Sequence, residues 1–152
     1  RVVEVTAGNG FQRLATDRFA LDPLDTLALT RLLDILARAD GDQPAPLELD
    51  WLHALPLSVT GRVNEQSLAA AQWACLDTVS ALLQGWGQAP RTPALRLWLV
   101  SWQACPVYGE VKRPELAALA GITEVVPQEY PVRCHWLDLN SAQLAARPEA
   151  LA

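Results

Sequence analysis

The run Leu95-Arg-Leu-Trp-Leu-Val100 constrains this chain more than any other stretch, because its apolar side chains fall on both alternating faces of an extended segment. A strand with one face in water does not carry that pattern, whereas a strand covered by helices on both sides of a parallel sheet does. The run therefore predicts a central strand of an α/β fold. Downstream, Pro114 suits a first helical position, where its missing N–H costs nothing, and Glu115 would sit beside the positive end of the helix dipole. Leu116, Leu119, Ala120 and Val126 would make the buried stripe, with Pro127 ending or kinking the helix near Val126. Val132 to Leu139 then reads as a returning strand. A strand, helix and strand joined in this way form a right-handed crossover in nearly all known cases.

The remaining segments repeat the alternation. Arg1 to Thr6 reads as a short strand ended by the turn residues Ala7-Gly8-Asn9-Gly10. A glycine fingerprint for a dinucleotide is the competing reading there, but Arg13 stands where the third glycine belongs and no clean helical stripe follows. Asp22 as N-cap, Pro23 at the first helical position and Asp25 near the dipole's positive end predict a helix start. Leu29, Leu32, Leu33 and Leu36 would face the sheet, until Asp40-Gly41-Asp42 stops the helix and Gln43 to Pro46 forms a connector.

Leu47 to Leu55 predicts the next strand, closed by Pro56, with His53 a strand histidine holding a local hydrogen-bond partner rather than a catalytic base. Leu57 to Gly61 would be the loop beyond its carboxyl end, where α/β sheets place ligands. Asn64 caps a long helix with the stripe Leu68, Ala71, Cys75, Val79, Leu82 and Leu83, released at Gly85 and Gly87, and Trp86 to Pro90 connects to the central strand. Ser141 to Ala152 reads as a short helix or an outgoing linker.

Composition sets the outer limits. With 152 residues, 51% of them hydrophobic, the chain can bury a real core. A net charge of −5 and only 12 basic residues, none in a run interleaved with aromatics, leave no nucleic-acid footprint and no attraction to an anionic membrane. Its apolar runs stop well short of the roughly 20 residues that cross a bilayer. The three cysteines are an odd, widely spaced set in apolar contexts, which fits a reducing cytoplasm better than a disulfide framework. The absence of methionine and the start at Arg1 suggest a piece of a longer polypeptide.

Catalytic patterns are few. Tyr108-Gly-Glu-Val-Lys112 has the Tyr-x-x-x-Lys spacing of short-chain dehydrogenases and follows Ser101 at the end of a strand. That chemistry needs tyrosine and lysine one helical turn apart, so that the ammonium lowers the phenol's pKa. Pro114 predicts instead a helix that begins after Lys112, leaving the pair in a loop. Cys134 and His135 are strand neighbours and point to opposite faces, so they cannot act together on one substrate or metal. No catalytic, cofactor-binding or metal-ligating residue is assigned.

Leu95 to Val100, Pro114 to Pro131 and Cys134-His-Trp-Leu-Asp138 together resemble the structural, non-catalytic half of ketoreductase domains in modular polyketide synthases. Val2 to Thr6, Phe11 to Pro23, Trp51 to His53 and Ser67 to Gln72 resemble earlier parts of that half, in the same order. The resemblance spans roughly residues 1–140 and lacks the family's usual first strand and helix. It implies a truncated Rossmann-like fold, a mostly parallel sheet flanked by helices, that supports a catalytic half or, in a pseudo-ketoreductase, a neighbouring C-methyltransferase. It implies no cofactor in this chain, NADPH belonging to the catalytic half, and partners that are adjacent synthase domains, including an acyl carrier protein. The alternative function is a divergent NADPH-dependent β-ketoacyl reductase using Tyr108 and Lys112.

Overall fold

A computed structural model describes residues 1–39, 48–107 and 109–140. The fold is mixed α/β, of truncated Rossmann-like type, and its residues gather into two compact units: Arg1–Glu48 with Asp77–Ala94, and Leu49–Leu76 with the described residues from Leu95 onward.

In the first unit, β1 (Glu4–Ala7), β2 (Gln12–Ala15) and β3 (Arg18–Leu21) form a sheet in the order β1-β3-β2. β1 runs parallel to β3 and β2 antiparallel to it. The expected first strand thus begins later, at Glu4. The turn that follows holds Gly10 at φ +87°, the left-handed region that favours glycine. It leads into a strand and not a helix, so Gly8 and Gly10 do not build the strand, glycine turn and helix that hold a pyrophosphate. The hairpin of β2 and β3 was not legible, because all four β2 side chains are exposed and leave no alternation to read.

Helix α1 (Thr26–Ala39) starts three residues after the expected proline. The carboxylate of Asp25, not that of Asp22, accepts from the N–H groups of Leu27 and Ala28, while Asp22 folds onto the N–H of Leu24. Leu29, Leu32 and Leu33 are buried and Leu36 half-buried. α1 packs on α3 (Thr78–Gln88) at Gly85, where a Cβ would lie 2.9 Å from Leu29 Cβ and 3.0 Å from the Thr26 carbonyl oxygen. Gly85 and Gly87 therefore do not release the chain. Gly85 lets two helices approach, and Trp86, expected in a connector, is a buried helical residue donating to the Pro93 carbonyl at 2.9 Å. The expected stop at Asp40 to Asp42 and the connector Gln43 to Pro46 lie outside the described residues.

In the second unit, β4 (Glu48–His53), β5 (Ala94–Trp102) and β6 (Arg133–Leu139) form an all-parallel sheet in that order, with β5 central as its sequence requires. A 3-10 turn at Leu55–Ser58 follows Ala54. Asn64 and Ser67 form a reciprocal capping box on α2 (Glu65–Gln72), as the asparagine predicted. Leu68, placed on the buried stripe, is 58% exposed, because the buried line runs through Ser67 and Ala71 instead. Between α2 and α3 the chain makes a π-helical turn, Trp73–Asp77, whose extra residue shifts the helical register.

Pro114 opens a 3-10 turn, Pro114–Ala117, that leads into α4 (Ala118–Glu129). Leu116, Leu119 and Val126 are buried and Ala120 half-buried. Pro127 lies inside α4 and does not end it at Val126. In the last turn its missing N–H removes one bond, and Tyr130 N–H still reaches the Val126 carbonyl at 2.9 Å.

Candidate functional site

The carboxyl ends of β5 and β6 are held together by one carboxylate. Asp138, opposite Ser101 in the parallel register, accepts from Ser101 Oγ at 2.7 Å, from Ala104 N at 3.1 Å and from Cys105 N at 2.9 Å. Trp136 Nε1 donates to the same Ser101 Oγ at 2.8 Å. The neighbouring Gln103 takes a left-handed φ of +49°, and its carbonyl collects the N–H groups of Lys112 and Arg113 at 3.0 Å each. These bonds pin both ends of the connection from β5 to the next turn. Burial, and secondarily the Asp138 charge, raises the Cys105 thiol pKa, so this cysteine is no activated nucleophile.

Two residues of the short-chain-dehydrogenase pattern, Ser101 and Lys112, are described near this end. Ser101 lies within β5, fully buried and committed to Asp138. Lys112 is an exposed loop residue, Gly109 has φ +125°, and helical turns begin only at Pro114. The half of the pattern at Tyr108 lies outside the described residues.

Behind the loop sits a buried ion pair. Arg113 Nη1 and Glu115 Oε1 are 2.9 Å apart, with side chains 2% and 1% exposed, and the guanidinium lies 4.8 Å from the centre of the Trp102 ring. Glu115 thus acts through a specific partner and not only through the helix dipole. Its other oxygen has no hydrogen-bond partner. Burial, assisted by the Glu115 charge, pushes the Cys75 thiol up to about 12. His53 is buried as well, and its Nε2 lies 2.8 Å from the Ala74 carbonyl in the π-helical turn. A carbonyl only accepts, so Nε2 carries a proton; burial lowers the imidazole pKa and favours the neutral ring. The expected hydrogen-bonded strand histidine is observed, with its partner 21 residues away.

The two faces of the parallel sheet differ. Leu95, Leu97, Leu99 and Ser101 point to a face that is almost completely buried. On the other face Trp98 Nε1 donates to Asp50 Oδ1 at 2.9 Å, and Arg96 reaches Asp50 Oδ2 at 2.7 Å. The hydrogen bond from Trp98, then Arg96, holds the Asp50 carboxyl below its ordinary pKa. His135, paired with Trp98 in the register, stacks on the indole at a centroid distance of 4.4 Å and 27°. Leu137, next along β6 on this face, is 41% exposed, and Leu52, on the same parity of β4 as Asp50, is 60% exposed. Cys134 and His135 do fall on opposite faces, as expected. This face presents an aromatic anchor, fixed between a carboxylate and an imidazole, with leucines beside it, a composition suited to packing against protein. Among the described residues, no cluster of His, Cys, Asp or Glu could hold a metal ion, and no helix is long and apolar enough to cross a membrane.

No protein-family model matches the chain, and no curated protein matches it. Two of the solved structures that share its fold serve for comparison. One is a multidomain structure of adenylation, ketoreductase and pseudo-Asub domains from a keto acid-selecting NRPS module, at 18% identity and a TM-score of 0.72, covering 98% of this chain and 12% of that one. The other is an N-terminal ketoreductase from the macrolactin assembly line, at 16% identity and a TM-score of 0.61, covering 91% of this chain and 27% of that one. The chain therefore has the fold of a portion of ketoreductase-bearing synthase structures and spans about a quarter or less of each.

Proposed function

We propose that this chain is a non-catalytic structural subdomain of a polyketide-synthase-type module. It would act as a scaffold for a ketoreductase catalytic half or, in a pseudo-ketoreductase, for a neighbouring methyltransferase. The observation that carries this reading is the exposed face of the parallel sheet. Parallel sheets bury both faces, yet here, although Val100 is buried, Leu52 is 60% and Leu137 41% exposed on the face that carries the anchored Trp98. An adjacent domain of the same polypeptide is the natural cover, and the similar structures are parts of much longer chains. On this reading the chain holds no cofactor, NADPH belongs to the catalytic half where the parent ketoreductase is active, and the synthase works in the cytoplasm.

Hydroxyl-radical footprinting of the chain alone and within its parent polypeptide tests the docking face. Leu52, His135 and Leu137 should be protected in the parent, and equal labelling in the two would refute docking there. Calorimetry with NADPH tests the rest of the reading separately, since saturable binding by the isolated chain would refute a non-catalytic role.

A further inference from the structure

We draw no further inference here: the strongest candidate, the arginine–phenylalanine cluster of Arg31 on α1, Phe11, Arg13 on β2 and the buried Phe19 on β3, carries nothing because Arg31 is engaged by the Phe11 ring, Arg13 by the Phe19 ring and the Ala15 and Thr16 carbonyls, and nothing in the structure points to a ligand.

Discussion

Gly85 and Gly87 lie two residues apart in α3, and replacing each by alanine should change stability in opposite directions. In a helix interior, alanine is better than glycine by roughly 0.8–1.0 kcal/mol. At Gly87 a new Cβ meets nothing within 4 Å, so Gly87→Ala should gain part of that amount, reduced by its place near the helix end. At Gly85 the Cβ would meet Leu29 Cβ at 2.9 Å, the Thr26 carbonyl oxygen at 3.0 Å and Thr30 N at 3.3 Å. Two of the three are backbone atoms of α1, so relief requires moving the helix. Overpacking of this kind typically costs about 1–3 kcal/mol. The separation would also stretch the 3.0 Å bond from Thr30 Oγ1 to the Gly85 carbonyl, a further loss of about 1 kcal/mol. Set against the propensity gain, Gly85→Ala should be destabilising by about 1–3 kcal/mol. Urea unfolding followed by circular dichroism, with equal slopes required for a valid comparison, measures both. Equal stabilisation by the two substitutions would refute the close approach of α1 and α3.

Three other perturbations have defined outcomes. Burial lowers the His53 pKa, so the unfolded chain binds a proton more readily than the folded one; the stability this histidine contributes is present above its unfolded pKa of about 6.5 and is lost as pH falls through the folded value. Urea midpoints should therefore drop between pH 7.5 and 5.5, and His53→Gln should flatten that dependence; an unchanged slope would contradict it. Arg113→Met leaves the Glu115 carboxylate buried without its partner and should cost about 3–5 kcal/mol, whereas Arg113→Met with Glu115→Leu should recover much of the loss in the same unfolding assay. Asp138→Asn substitutes an amide nitrogen for an oxygen facing N–H donors, and should cost about 1–3 kcal/mol while speeding amide exchange at Ala104 and Cys105; unaltered exchange there would show that the loop does not depend on this carboxylate.

The unit of β5, α4 and β6 was legible because each part follows local rules. The two-faced apolar run marks a central strand, Pro114 marks a start, and spacing gives Leu116, Leu119 and Val126. Asn64 was legible for the same reason, since a cap needs only its own next turn. Misreadings occurred where distant residues decide. Glycine near the end of a helical stripe has two physical meanings, a stop or a close approach, and only Thr26, Leu29 and Thr30, more than 50 residues earlier, select the second for Gly85. Leu68 was assigned by period, but capping turned Ser67 inward and carried the buried line with it. The exposed strand β2 carries no alternation and so gives sequence reasoning nothing to detect.

The candidate surface was hidden by the same two-faced pattern that revealed the fold. Trp98 and Arg96 alternate with Leu95, Leu97 and Leu99, and a single strand cannot say whether a helix covers the second face. The answer depends on β4 and β6, because Asp50 and His135 reach Trp98 from sequence positions 48 and 37 residues away. A tryptophan whose N–H meets a carboxylate and whose ring stacks on an imidazole is held still before any partner arrives. Less side-chain entropy is then lost on docking, about 0.5–1.5 kcal/mol for each side chain already immobilised. The polar groups on this face thus do not argue against an interface. On the proposed reading they position its apolar centre, so that a face bearing arginine, aspartate and histidine would still serve as the packing surface of a parallel sheet.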